Sequence, residues 1–186
     1  AYLRRAFGLG LELKPDLICL TGDFITWKYK QYDAYAKVLR MLPDYAPTFA
    51  CLGNHDGGIW ADSHMKIGTT SSQPVRDLLA NAKIRLLHNE HTTETIGGRE
   101  INLVGVGDLW NKECNPDRAF ADLDNSRPTV LLSHNPDSKD LMRDHPWDLM
   151  LCGHTHGGQV FLPGLGAPLA PVKDKRYVRG LHQFGE

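Results

Sequence analysis

Gly153-His154-Thr155-His156-Gly157-Gly158 follows directly on the apolar run Asp148–Cys152. At a strand end, two histidines at i and i+2 point to the same face. The glycines behind them let the backbone turn tightly and approach whatever the imidazoles hold. The same grammar occurs three more times along the chain. Leu17–Leu20 leads into Thr21-Gly22-Asp23, Thr48–Leu52 into Gly53-Asn54-His55-Asp56, and Thr129–Leu132 into Ser133-His134-Asn135-Pro136. Any one of these reads as a turn or a helix cap. Four polar clusters at four successive strand ends point instead to a metal centre.

Between these strands the apolar spacing predicts helices over Tyr2–Leu13, Tyr32–Leu42, Pro74–Ala82, Pro116–Leu123 and Asp137–Arg143. Further strands are expected at Ile84–His88, Thr92–Ile96 and Glu100–Val106, with Gly97-Gly98 as the turn between the last two, and a short one at Val160–Leu162. Alternating helix and strand predict an α/β fold with helices covering the sheet faces. In such folds polar sites gather at the carboxyl ends of the strands. The first helix has no strand before it, although a crossover helix normally joins two strands of one sheet. The polar stretch Gly57–Gln73 is long for a plain connector and is expected to be a lid loop, with Trp60 and Met65 facing substrate.

A chain of 186 residues with 41% hydrophobic content buries one sizeable core, so residues 1–186 are expected to form a single domain. The net charge of −1 gives no electrostatic case for a nucleic-acid or membrane partner. No run is long enough to span a bilayer and no signal-peptide pattern is present. The four cysteines form no Cys-x-x-Cys, and reduced thiols in a cytoplasmic protein are expected. Trp27, Trp60, Trp110 and Trp147 are expected to serve packing rather than substrate.

Asp23, Asn54, His134, His154 and His156 offer one carboxylate, one amide and three imidazoles. Mixed nitrogen and oxygen ligation suits Mn²⁺, Fe or Zn²⁺, and the lack of thiolates disfavours a structural zinc site. A carboxylate can bridge two cations, which lower the pKa of a bound water and clamp phosphate oxygens. An imidazole such as His55 could protonate the leaving oxygen.

The four clusters, extended by Asp137 and by Gln159, together resemble the motifs of the calcineurin-like metallophosphoesterases, in the same order and over nearly the whole chain. The Asn-Pro-Asp and Gly-Gly-Gln-Val extensions resemble the bacterial phosphodiesterase branch that includes hydrolases of UDP-2,3-diacylglucosamine. The resemblance implies a two-sheet α/β sandwich flanked by helices and two divalent metal ions, Mn before Fe or Zn. Asp23 would bridge the metals. Asn54, His134 and His154 would complete one site, and His156 would belong to the other. His55 would be the catalytic acid, with Asp56 orienting it. The substrate would be a small-molecule or lipid-linked phosphoester.

Two departures from that pattern are visible. The family begins with Asp-x-His on its first strand, and residues 1–22 contain no histidine. The chain is therefore expected to start one strand late and to end early, leaving the second metal site short of ligands and turnover weak. Some members also carry Asp three residues after the bridging Asp, where this chain has Thr26. The leading expectation is a metal-dependent phosphodiesterase or pyrophosphatase, cytoplasmic, with membrane attachment only through segments outside this chain. The alternatives are a catalytically silent metal-binding scaffold and a nuclease of the same superfamily, which the absence of a basic stripe argues against.

Overall fold

The computed structural model describes residues 2–26, 29–65, 70–160, 162–164 and 166–185. Helix α1 (Tyr2–Leu11) leads to strand β1 (Ile18–Thr21), and α2 (Tyr32–Leu39) to β2 (Thr48–Cys51). Helices α3 (Ile59–Met65) and α4 (Gln73–Asn81) precede β3 (Arg85–Leu86). β1, β2 and β3 form one parallel sheet in that order, with Thr21 opposite Cys51. A second sheet runs β4 (Glu90–Ile96), β5 (Arg99–Gly105), β6 (Thr129–Leu132) and β7 (Leu149–Leu151), with α5 (Pro116–Ala119) between β5 and β6. β4 and β5 are antiparallel, joined by Gly97-Gly98. Both glycines have positive φ, 57° and 78°, as a two-residue hairpin turn matched to strand twist requires. β5, β6 and β7 are parallel.

The alternation of side chains along the strands sorts the core into three layers. Phe49 and Cys51 of β2 meet Leu103 of β5 and Leu132 of β6, with Leu87, between the sheets. Their neighbours Ala50 and Leu52 face the other way, onto Leu39 of α2 and Val75, Leu78 and Leu79 of the α4 layer. On the far side, Val104, Val106 and Leu131 pack under Ala119, Phe120 and Met142. The two-sheet sandwich flanked by helices expected from the sequence is the architecture found.

Three expectations change in detail. The helix expected over Asp137–Arg143 is a 3₁₀ helix over Pro136–Asp140, because Asn135 Oδ1 caps it by accepting from Asp137 N at 2.9 Å and Pro136 fixes its start. Of the strand expected at Val160–Leu162, the described residues show Leu162 in an isolated bridge to Gly166, and Phe161 lies outside the described residues. The polar stretch Gly57–Gln73 contains α3, while residues 66–69 lie outside the described residues, as do Trp27 and Lys28. Among the described residues no helix is long and apolar enough to cross a membrane.

Candidate metal centre

The four strand-end clusters meet where the carboxyl ends of β1, β2, β6 and β7 converge. Two of them are held together by bare backbone. A Cβ on Gly22, which has φ 85°, would stand 2.5 Å from Gly53 N, and one on Gly53 would run into Asp23. Gly153 serves the β7 loop in the same way, since a Cβ there would lie 3.0 Å from the Thr21 carbonyl oxygen and 3.3 Å from His134 Nδ1. Asp23, His154 and His156 all take left-handed backbone conformations, with φ of 58°, 66° and 51°. Such conformations are uncommon without glycine and concentrate at functional sites.

Asp56 fastens the two loops of the first sheet. Its buried carboxylate accepts hydrogen bonds from the backbone N–H of Asp23 (2.9 Å), Phe24 (2.7 Å), Ile25 (3.3 Å) and Gly53 (2.8 Å). Burial pushes its pKa up to about 7, against the pull of the Gly53 amide and with the charge of Asp23 adding to the rise. Both oxygens are therefore committed to backbone amides, which makes Asp56 the anchor of the loop that carries His55.

His134, 2% exposed, is the hub. Its Nδ1 lies 2.6 Å from the Thr21 carbonyl oxygen, which can only accept, so Nδ1 carries the hydrogen. Nε2 faces Asp23 Oδ2 at 3.1 Å, Asn54 Oδ1 at 3.1 Å and His154 Nδ1 at 3.2 Å. Burial works against a charge on His134, but the hydrogen bond and charge of Asp23 prevail and raise its pKa. Burial likewise opposes ionisation of Asp23, and His134 more than compensates, so the Asp23 pKa is lowered. Burial, with His134 beside it, lowers His154 to about 4. Its Nε2 is buried without a hydrogen-bond partner.

This donor set fits a divalent cation. With Nδ1–H spent on Thr21, the neutral His134 ring turns a lone pair toward two oxygens and a nitrogen, an arrangement that a cation would satisfy. One ligand atom each from Asp23, His134 and His154 lie within 4.8 Å of one another. The Thr21 carbonyl also fixes the tautomer and ring orientation, the role that outer hydrogen bonds play around metal-bound histidines.

Of the residues singled out by sequence, Asp23, Asn54, His134 and His154 are brought into contact. His156 is exposed, and its Nδ1 lies 3.2 Å from Gln159 Oε1, apart from that group, although it lines the same cavity of about 1020 Å³ as Asp23, His134 and His154. His55 donates its backbone N–H to Asp23 Oδ1 at 3.0 Å, and its half-buried ring meets Trp60.

Asp108 and Asn111, which were not among the residues singled out, surround the centre together with Trp60 and Trp110. Asp108 is 1% exposed, accepts from Asn111 N at 2.8 Å, and helps to raise the pKa of His134. Gly107-Asp108 at the end of β5 repeats the glycine–acid grammar of Gly22-Asp23, a signal that could have found it. Trp110 stands edge-on to the His154 ring at 4.3 Å, so this tryptophan packs against a candidate ligand.

A family model described as calcineurin-like phosphoesterase matches residues 1–158. Phosphodiesterase YaeI of Escherichia coli (strain K12) is 47% identical over 182 residues, covering 97% of this chain and 63% of that protein. UDP-2,3-diacylglucosamine pyrophosphatase LpxG of Chlamydia muridarum is 30% identical over 228 residues, covering 99% of this chain and 68% of that protein. The chain thus spans under two thirds of the length of YaeI and just over two thirds of that of LpxG. Among solved structures, NAD nucleotidase (NadN) of Haemophilus influenzae superposes with a TM-score of 0.57 at 16% identity, covering 84% of this chain and 32% of that one, a likeness of fold.

Proposed function

The chain belongs to the calcineurin-like phosphoesterase family, and from that premise we propose that it hydrolyses a phosphodiester or pyrophosphate bond at a divalent-metal centre. Asp23, Asn54, His134 and His154 would hold one cation, Asp23 and His156 would serve a second, and His55 is the acid. The observation that carries this reading is the convergence of Asp23 Oδ2, Asn54 Oδ1 and His154 Nδ1 on His134 Nε2 at 3.1–3.2 Å. Divalent cations in such a site supply Lewis-acid charge to phosphate oxygens and lower the pKa of water, and Mn²⁺ suits this mixture of nitrogen and oxygen donors.

The chain's own residues do the rest. Asp23, ionised through His134, gives the centre its negative charge, and Asn54 adds a neutral amide oxygen. Asp56 holds the Asp23 and His55 loops in register. His55, tied to Asp23 through its backbone, donates a ring proton to the leaving oxygen and regains one from water. The names of YaeI and LpxG support a phosphodiester or pyrophosphate substrate, small or lipid-linked.

The test compares wild type and His55→Ala, both loaded with Mn²⁺, on an alkyl phosphodiester. The proposal expects kcat to fall roughly 10²–10⁴-fold with bound metal unchanged. Wild-type protein that holds Mn²⁺ yet turns over no phosphodiester would point to the scaffold alternative.

A further inference from the structure

We infer that Trp60, clamped by Asn111, is the positioning residue for the His55 ring. This rests on the reading of His55 as the acid. An acid must present one ring nitrogen in a fixed direction, and a backbone tie leaves both side-chain torsions of a histidine free. Thr26, three residues after Asp23, is exposed. Asp56, the other candidate for that task, is occupied by four backbone amides. Among the described residues no side chain hydrogen-bonds a ring nitrogen of His55. Its ring contact is with the Trp60 indole, at 4.9 Å between centroids and 69° between planes. That edge-to-face geometry is attractive for a neutral imidazole and more so for the protonated form an acid needs.

Trp60 is itself held from outside its own loop. The fully buried side chain of Asn111 accepts from Trp60 N at 2.9 Å and donates to the Gly57 carbonyl at 3.0 Å, gripping both ends of the turn that starts α3. A Cβ on Gly58 would stand 2.6 Å from Asn111 Oδ1, so the glycine is what lets the clamp close. The Trp60 ring also meets Trp110, at 5.3 Å, which in turn stands against His154. An unbroken line of rings therefore runs from His55 through Trp60 and Trp110 to a candidate metal ligand, and Trp110 and the Asn111 clamp come from the loop after β5.

Chemistry separates this role from a merely structural one. A nitrophenolate leaves without protonation, whereas an alkoxide needs the acid. With Trp60→Leu in the Mn²⁺-loaded protein, kcat on an alkyl phosphodiester should fall on the order of 10–100-fold, with KM and bound metal little changed. On bis(p-nitrophenyl) phosphate it should stay within about threefold of wild type. Trp60→Phe should recover most of the loss, and Asn111→Ala should reproduce part of it. Independently of turnover, the His55 Hε1 proton resonance should carry a ring-current displacement that Trp60→Leu removes and Trp60→Phe partly keeps. Equal losses on both substrates, or an Hε1 resonance unmoved by Trp60→Leu, would overturn the inference. His55→Ala run alongside separates the two levels: if it shows no leaving-group dependence, the acid itself is wrong. If it does and Trp60→Leu does not, only the positioning role falls.

Discussion

Asp56 shows how much of this site is built by one side chain acting on backbone. Four N–H groups from two loops end on its two oxygens, and those loops carry Asp23, Asn54 and His55. An amide of the same shape offers one acceptor oxygen and turns an NH₂ toward N–H groups. Asp56→Asn is therefore expected to cost about 2–4 kcal/mol of unfolding free energy, since each buried donor left unpaired costs about 1–3 kcal/mol. Urea denaturation at neutral pH measures this, and a change below about 0.5 kcal/mol would mean that the loops are held by something else. The residues at the centre were legible in the sequence because each stands at the end of an apolar run. The work done by Asp56 was not, because three of its four partners lie 31–33 residues away in the sequence and all are backbone atoms.

At the scale of elements, the strands that carry the site announced themselves. Thr129–Leu132 occurs with the bounds read from the sequence, and β1, β2 and β7 shift by a residue at one or both ends. Helix α3 was hidden because the glycine- and serine-rich composition of residues 57–73 reads as loop, and because the clamp that starts it, Asn111, is supplied by another element. The β3–β4 connection holds a second buried device. Asn89 accepts from Gly107 N and Asn115 N and donates to the Glu113 carbonyl, tying that connection to the loop after β5.

Beside it, burial pushes His88 down to about 4, helped by the charges of Arg76 and Arg118. Its Nδ1 is buried without a partner. A histidine whose folded pKa lies below its unfolded value near 6.5 contributes stability that is fully present above pH 6.5. That contribution is lost as pH falls toward about 4. Glu113, 3.7 Å away and itself raised by burial, offsets part of the loss. Unfolding free energy should drop by about 2–3 kcal/mol between pH 7 and pH 4 through this group. His88→Gln should flatten the slope, and an identical slope in the variant would assign the pH dependence elsewhere.

Across the whole molecule, the candidate ligands come from both sheets. Asp23 and Asn54 stand at the ends of β1 and β2, and His134 and His154 at the ends of β6 and β7, with the Phe49, Cys51, Leu103 and Leu132 core between them. The apolar core brings the sheets to the distance at which four polar side chains meet. A cation held there joins the two sheets, so binding and sheet packing are one equilibrium. The sequence pattern predicted the layers and the edge on which the site lies. It could not say which strands would be neighbours, because pairing is set by packing between distant segments.

On this reading Asp23, Asn54, His134 and His154 would jointly hold one divalent cation. The most direct test is Mn²⁺ retained per chain, by elemental analysis after reconstitution and desalting, in wild type and in His134→Gln. Wild type is expected to retain about one Mn²⁺ or more and the variant close to none at this site, since removing the hub leaves three ligands on two sheets with nothing between them. Wild-type protein that retains no metal, or a His134→Gln variant that retains as much as wild type, would contradict it.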